Sequence, residues 1–205
     1  MKKNIQTSTK GRKKAAKDLT ICVCGLSGSG KSSLAKRLAE KYKLRYFSGG
    51  DALKALAIQE GYKNVDRGWW ETPEGMRFLE RRNRNHELDS EIDKKLMELA
   101  QQGNVMLDSW TMPWLLKKGF KIWLEASPET RAKRIAFRDG ISEEEALEAL
   151  TNKEKHTREI YRNLYGFDLG KDFEPFHLIL DTDSLNAEEV FQILCVVIDN
   201  WFMLA

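Results

Sequence analysis

The chain has 205 residues, of which 41% are hydrophobic and 32% charged, and a formal net charge of +3, so it can form one ordinary domain with a core. Its cysteines, Cys22, Cys24 and Cys195, have neither metal-ligand nor disulfide-framework spacing and indicate buried thiols in a reducing compartment. No apolar run approaches the roughly 18 residues of a membrane span, and the first residues lack the apolar segment of a signal peptide. We therefore expect a cytoplasmic protein without a membrane segment.

Residues 1–18 form a basic segment that is poor in apolar residues and has no periodicity, which is typical of a solvated, disordered arm. The remaining chain, 19–205, is mildly acidic. A basic arm attracts RNA or another polyanion through phosphate contacts, but such arms also serve only to keep a protein soluble. The sequence leaves weak RNA contact and a solubilising role open, and we expect the protein to be a monomer.

A phosphate-binding loop follows the first apolar run. Residues 25–32 read Gly-Leu-Ser-Gly-Ser-Gly-Lys-Ser, a complete match to G-x-x-x-x-G-K-S; the alternative is a Gly/Ser-rich turn. The glycines let backbone N–H groups turn inward around phosphates, Lys31 would reach the β- and γ-phosphates, and Ser32 would ligate Mg²⁺. A helix predicted from about Lys31 to Lys41 would add its N-terminal N–H groups. The residues expected to bind a nucleoside triphosphate are Gly25, Ser27, Gly28, Ser29, Gly30, Lys31, Ser32 and Ser33.

Beyond the loop the chain alternates strand and helix signals, which is the pattern of an α/β fold with a parallel sheet. The five predicted strands are 21–24, 45–47, 105–107, 121–124 and 178–181. A long, mostly helical insert at about 51–102, with a polar break at 61–68, separates the second strand from the third. Caps and capping boxes mark three later helix starts, at Ser127 before Pro128, at Ser142 with Glu145, and at Asn186 with Glu189.

Four further segments carry a family resemblance in their serial order: 47–54 (Phe-Ser-Gly-Gly-Asp-Ala-Leu-Lys), 87–93, 103–108 and 121–142. They resemble the nucleoside monophosphate kinases, most closely the compact branch of the cytidylate kinases, over nearly all of the chain after Asp18. The resemblance implies a three-layer α/β P-loop fold with a five-stranded parallel sheet, a helical acceptor-binding insert, and a short helical lid at about 138–165. It also implies transfer of the γ-phosphoryl group of ATP to a small acceptor, with CMP or dCMP as the leading candidate.

The resemblance assigns roles to several charged residues. Arg134 and Arg138, one helical turn apart, match the R-I-x-x-R arginines that contact the ATP base and phosphates in the family. Arg158, which shares a helix face with Arg162, matches a lid arginine less securely. Asp108, at the carboxyl end of the third strand, takes the place of the acid that orients the water shell of Mg²⁺. The alternatives are solvated surface arginines and a turn-forming aspartate.

The acceptor side departs from the family pattern. Trp110 stands where a family arginine grips the monophosphate, and Lys54 and Lys153 stand where the family has further arginines. Lysine keeps the charge but loses the bidentate fork that matches a phosphate, and tryptophan loses both. The residues expected to bind the acceptor are Ser48, Asp51, Lys54, Trp110, Trp114 and Lys153.

Three explanations of this departure stay open. Arginines of the insert could bind the acceptor phosphate from another direction, the candidates being Arg77, Arg81, Arg82 and Arg84. Tryptophans could instead frame a stacking site for a different base or a non-nucleotide alcohol, or simply pack in the core: Trp69, Trp70, Trp110 and Trp114. The functions that stay open are a nucleoside monophosphate kinase, a kinase of a small-molecule or polynucleotide 5′-hydroxyl group, and a nucleotide-dependent switch or assembly factor with slow ATP hydrolysis.

Overall fold

A central parallel β-sheet organises the structure. The computed structural model describes residues 19–64, 68–84 and 86–204. The strands are β1 (Thr20–Cys24), β2 (Arg45–Ser48), β3 (Val105–Asp108), β4 (Phe120–Glu125) and β5 (Leu178–Asp181). They pair in parallel in the order β2-β3-β1-β4-β5. The α/β class and all five predicted strands are confirmed, with ends that differ by one residue at most.

Helices follow the strands on both faces of the sheet. They are α1 (Lys31–Tyr42), α2 (Gly49–Gln59), α3 (Pro73–Arg84), α4 (Glu87–Gln101), α5 (Met112–Leu115), α6 (Pro128–Asp139), α7 (Glu143–Tyr165) and α8 (Ala187–Leu204), with a 3₁₀ turn at Trp69–Glu71. The segment between β2 and β3 is therefore helical, as predicted for the insert. The basic arm at 1–18 and residues 65–67 of the predicted polar break lie outside the described residues.

Alternation along β1 divides the core into layers, because successive side chains of a strand point to opposite faces. Ile21 and Val23 pack with α1 and α8 on one face. Cys22 and Cys24 lie in the clusters on the opposite face, which include residues of the insert and of α7. Burial raises the pKa of the Cys22 thiol to about 12, so this thiol stays protonated and inert. The sheet and the helices on its two faces therefore form three layers.

Local capping sets the helix ends that the sequence predicted. The Ser127 hydroxyl accepts from the Thr130 N–H at 3.3 Å, and Ser142 and Glu145 form a complete capping box at the start of α7. At α8, the Asn186 side chain accepts from two backbone N–H groups. These caps satisfy N–H groups that have no partner inside the helix, so α6, α7 and α8 begin where predicted. No helix in the described ranges is long and apolar enough to cross a membrane.

Candidate active site

The loop between β1 and α1 requires glycine at two positions. Gly25 and Gly28 have φ values of 151° and 82°. A Cβ atom at Gly25 would lie 2.6 Å from the backbone oxygen of Leu124, and one at Gly28 would lie 2.6 Å from that of Arg131. The backbone therefore approaches β4 and α6 more closely than any side chain permits.

A cavity of about 280 Å³ begins at this loop and continues toward the insert. The loop contributes Ser27, Gly28, Lys31 and Ser32 to its wall, and Asp108 at the end of β3 also lines it. Asp108 is buried and accepts a hydrogen bond from the Tyr46 hydroxyl at 3.0 Å. Ser32 lies in the first turn of α1, so the predicted metal-binding pair, Ser32 and Asp108, shares one cavity.

Two loop hydroxyls fit a ligand with hydrogen-bonding oxygens. The side-chain oxygens of Ser27 and Ser29 are buried and have no hydrogen-bond partner within the described part of the chain. Buried polar groups without partners are costly, and a bound polyphosphate would supply acceptors for them. The described residues contain no cluster of three or more His, Cys, Asp or Glu side chains that could hold a metal ion. Mg²⁺ in phosphoryl-transfer sites typically needs only one or two protein oxygens, because phosphate oxygens and water complete its shell.

Arg131 of α6 supports the phosphate-binding loop by a hydrogen bond, a role that its sequence position did not predict. Its guanidinium donates to the carbonyl oxygens of Ser27 and Ala126, both at 3.0 Å, and forms a buried ion pair with Glu154 of α7. Arg131 thus connects the phosphate-binding loop to both lid helices. In the sequence Arg131 resembles the exposed charged residues of α6, and only its tertiary contacts show that it is buried.

The predicted lid arginines lie in different places. Arg138 lines the cavity and pairs with the adjacent Asp139. Arg134 is not among the lining residues; it donates to the hydroxyl and carbonyl oxygens of Thr182, just after β5. Arg158 donates to the Leu169 carbonyl oxygen at 3.0 Å and is also outside the lining set. Their predicted roles on the phosphates therefore have direct geometric support only for Arg138.

Trp110 lines the cavity beside the loop. Its indole N–H donates to the Gly25 carbonyl oxygen at 2.6 Å. The Nζ atoms of Lys31 and Lys153 each lie 5.4 Å from the Trp110 ring centroid, and Lys153 also lies 4.7 Å from the Trp70 ring. Two cations therefore approach one aromatic ring, an arrangement that favours an anion nearby.

Trp70 also lines the cavity, but Trp114 and Trp69 do not. Trp114 is not among the residues lining the cavity; it stacks on Phe167 with centroids 4.0 Å apart and donates to Asp172. The prediction that Trp114 binds the acceptor therefore has no support here, because its ring stacks on Phe167 and its N–H is engaged by Asp172. Trp69 is 2% exposed and packs against Trp70 and Phe78. Sequence position alone did not separate these packing residues from Trp110.

Among the insert arginines whose side chains the structure describes, Arg82 is the one placed at the cavity. Arg77 pairs with Glu74 and Arg81 with Glu60, both on the exposed surface, while the Arg84 side chain lies outside the description. Arg82 is buried, lines the cavity and forms a two-point ion pair with Asp89. Two of its guanidinium nitrogens already donate to Asp89, so Arg82 contributes to the cavity wall as one half of an ion pair.

The remaining predicted acceptor residues lie near the start of α2. Ser48 and Asp51 line the cavity, and the Ser48 hydroxyl accepts from the Asp51 N–H at 3.1 Å, which caps the helix. Lys54, one turn further along α2, is not among the lining residues.

Asp93 of α4 is a further cavity residue that the sequence reasoning missed. Its carboxylate accepts from the Thr111 hydroxyl at 2.6 Å and the Tyr165 hydroxyl at 2.7 Å. Burial raises its pKa from 3.8 to about 6, and the two hydroxyl hydrogen bonds oppose this shift. Asp89 and Asp93 are four residues apart, so their shared helix face was a signal available in the sequence.

These elements together define a P-loop kinase fold with a cavity that extends from the phosphate-binding loop to the insert. The sequence model of the cytidylate kinase-like family matches residues 20–184. A cytidylate kinase of Pyrococcus horikoshii is 34% identical over 183 residues, covering 89% of each chain, and one of Methanocaldococcus jannaschii is 34% identical over 187 residues, covering 89% of this chain and 98% of its own. The chain belongs to the cytidylate kinase-like family and is a nucleoside monophosphate kinase-like phosphotransferase.

Solved structures support the fold at lower identity. A shikimate kinase from Bacteroides thetaiotaomicron superposes with a TM-score of 0.52 at 17% identity, covering 88% of this chain and 98% of its own. A shikimate kinase from Acinetobacter baumannii in complex with shikimate gives the same TM-score and identity, covering 90% and 96%. The predicted three-layer P-loop architecture is confirmed.

Proposed function

We propose that this protein transfers the γ-phosphoryl group of ATP to CMP or dCMP. The observation that carries the proposal is the single cavity that joins the phosphate-binding loop to the insert and has Lys31, Arg138 and Lys153 on its wall. Transfer between two phosphorylated molecules brings together more negative charge than either carries alone. These three cationic side chains would partly neutralise that charge.

The chain needs no nucleophilic side chain for this reaction, because an oxygen of the acceptor phosphate attacks in line and the protein supplies position and charge. Lys31 would hold the transferring phosphate from the loop, and Arg138 would contact it from the lid. Ser32 and Asp108 would hold Mg²⁺, which neutralises phosphate charge when bound. Arg134 would position the segment after β5 through Thr182.

Lys153 would bind the acceptor phosphate in place of the arginine that Trp110 replaces. Its ammonium lies near the rings of Trp110 and Trp70 on the cavity wall, and the ammonium of Lys31 approaches the same Trp110 ring. Two like charges near one ring repel each other, and an anion bound between them reduces that repulsion. The acceptor phosphate would provide that anion.

A second candidate, phosphorylation of a hydroxyl group, is favoured by Trp110 itself. An indole in the cavity cannot donate twice to a phosphate, but it can cover the face of a base or another ring. A hydroxyl acceptor needs no residue that binds an acceptor phosphate. A comparison of the nucleoside with the nucleoside monophosphate as acceptor therefore distinguishes the two candidate functions.

The test is ADP production by the full chain with ATP and Mg²⁺, measured against each nucleoside monophosphate, the matching nucleosides and no acceptor, with products identified by mass. We expect CMP and dCMP to give the highest kcat/KM. Faster reaction with cytidine would favour the hydroxyl kinase, and ADP release that no acceptor accelerates would indicate slow ATP hydrolysis alone. Lys31→Ala controls for contaminating kinases, since it should lose the activity in every case.

A further inference from the structure

Within the described part of the chain, three buried carboxylates line the cavity: Asp89, Asp93 and Asp108. Asp89 accepts from two guanidinium nitrogens of Arg82, so its charge is already paired. Asp93 accepts one hydrogen bond on each of its oxygens, from the hydroxyls of Thr111 and Tyr165. Neither of these two side chains therefore combines an unpaired charge with an oxygen that accepts no hydrogen bond.

Asp108 differs from both in its hydrogen bonding. The Tyr46 hydroxyl, which is neutral, donates to its Oδ2 atom at 3.0 Å, and no residue in the described ranges donates to its Oδ1 atom. A hydroxyl donor orients a carboxylate without cancelling its charge, whereas an arginine does both. The charge and the second oxygen of Asp108 therefore remain available to a cation, and Mg²⁺ prefers oxygen ligands of this kind.

The register of the sheet places the Tyr46 hydroxyl beside this carboxylate. In the parallel pair of β2 and β3, Tyr46 lies opposite Met106 and Ser48 lies opposite Asp108. Residues two apart on a strand share a face, so Tyr46 and Asp108 both lie on the face of the sheet that packs against α1. The first turn of α1 carries Ser32, the other predicted metal-binding residue.

We propose that Tyr46 is a positioning residue for magnesium, because its hydroxyl fixes the orientation of the Asp108 carboxylate and thereby raises the affinity of the site for Mg²⁺ together with nucleotide. The inference rests on the proposed function in its use of ATP and Mg²⁺, but not in the identity of the acceptor. Mg²⁺ tolerates little departure from octahedral geometry, so the orientation of its ligands matters. Groups that orient a metal-binding side chain typically contribute about 10- to 100-fold in metal affinity or activity.

Tyr46→Phe tests the proposal, because it removes the hydroxyl and keeps the ring. The measurement is calorimetric binding of AMP-PNP, an ATP analogue that is not hydrolysed, in excess Mg²⁺ and in EDTA, without an acceptor. We expect the variant to bind the analogue about tenfold more weakly than the wild type in Mg²⁺ and equally well in EDTA. In steady-state assays the free Mg²⁺ concentration at half-maximal rate should rise by a similar factor, and saturating Mg²⁺ should restore kcat.

Two further variants separate positioning from a structural role. Tyr42→Phe removes another tyrosine hydroxyl that donates to an aspartate, Asp199, at 2.8 Å and outside the cavity lining, so it should change neither measurement. Asp108→Asn removes the charge through which Tyr46 would act. Adding Tyr46→Phe to Asp108→Asn should therefore weaken binding in Mg²⁺ by about twofold at most, whereas a purely structural effect of the lost hydroxyl would add in full.

The outcomes separate this inference from the proposed function. Weaker binding in Mg²⁺ alone, absent from Tyr42→Phe, supports the inference. A Tyr46→Phe variant with the wild-type melting temperature and unchanged Mg²⁺ dependence overturns it. A rise confined to the KM of the acceptor also overturns it, because the hydroxyl would then act through its hydrogen bond with the Ser48 side chain. A wild-type protein that uses neither CMP nor dCMP overturns the proposed function, while the binding comparison without acceptor still decides the role of Tyr46.

Discussion

The indole N–H of Trp110 donates to the carbonyl oxygen of Gly25 at 2.6 Å, which joins the segment after β3 to the first glycine of the phosphate-binding loop. The Nζ atoms of Lys31 and Lys153 each lie 5.4 Å from the centroid of the same indole ring. Trp110, which we predict to stand in place of a phosphate-binding arginine of the family, thus also contacts the loop, and the two roles can be separated by substitution.

Trp110→Arg should raise kcat/KM for CMP relative to cytidine, because a guanidinium restores two-point binding of a phosphate. Trp110→Phe keeps an aromatic ring but removes the donor to Gly25, and should lower kcat without changing that preference. Steady-state kinetics with both acceptors measure both effects. An arginine variant with an unchanged CMP/cytidine ratio would show that the acceptor phosphate does not lie beside position 110.

Lys31→Ala should lower kcat/KM by about 100-fold or more and leave the melting temperature almost unchanged. The lysine is a charge aimed at a ligand, and its removal breaks no buried ion pair of the described structure. Lys36→Ala, on the same helix but outside the cavity lining, is the matched control. Transfer at the wild-type rate in Lys31→Ala would contradict the kinase mechanism.

Arg138→Ala should depress kcat, by roughly 10²-fold, more than it raises the KM for ATP, because its charge is needed as transfer proceeds. Arg162→Ala removes another exposed lid arginine that pairs with an aspartate, Asp168, away from the cavity lining, and should keep normal kinetics. If Arg138→Ala changes only the KM for ATP, the arginine binds the ground state alone.

Arg131→Met should destabilise the protein by about 3–5 kcal/mol, because it leaves Glu154 buried without its partner. The double variant Arg131→Met with Glu154→Met removes both charges and should recover part of this loss. Chemical denaturation of the four proteins gives the coupling free energy. A coupling near zero would mean that Arg131 acts only through the carbonyl oxygens of Ser27 and Ala126.

The buried Asp93 predicts a pH dependence of stability. Its pKa is raised on folding from 3.8 to about 6, so the folded state holds this proton more tightly than the unfolded state. The stabilisation is complete below pH 3.8 and is lost as the pH rises through about 6. The groups that face Asp93 are Arg82, Asp89, Thr111, Tyr161 and Tyr165.

Asp93→Asn should therefore melt at a temperature similar to the wild type near pH 4 and a few degrees higher above pH 7, where the wild type carries the buried charge. Thermal melts of the ligand-free proteins across this range measure the difference. A constant difference between the two melting curves from pH 4 to 8 would contradict the raised pKa.

The sequence predicted the features that local chemistry determines. An apolar run before a complete loop motif located β1 and α1, and the side chains of Ser127, Ser142 and Asn186 located three helix starts, because caps act within one turn. Parallel strands with helical connections then specified the architecture. Trp110 was identified as a cavity residue because it directly follows the carboxyl end of a central strand.

Other parts of the site depend on contacts between distant segments, which local patterns do not encode. Arg82 and Arg131 look like their exposed neighbours Arg81 and Lys133, and only the approach of Asp89 and Glu154 makes their burial tolerable. Trp114 lies four residues after Trp110 but meets Phe167, which follows α7. The packing of Trp114 therefore depends on the path that the chain takes after α7.

Helix α7 presents one stripe of residues, spaced by four, to the insert: Lys153, Thr157, Tyr161 and Tyr165. Three of these side chains contact Trp70, Arg82 and Asp93, which all line the cavity. Because these residues belong to one unbroken helix, any opening between α7 and the insert has to release their contacts together, whereas a flexible loop releases its contacts singly. We expect the rate of such an opening to contribute to product release, so that turnover depends on the contacts between two helical segments as well as on the chemistry of transfer.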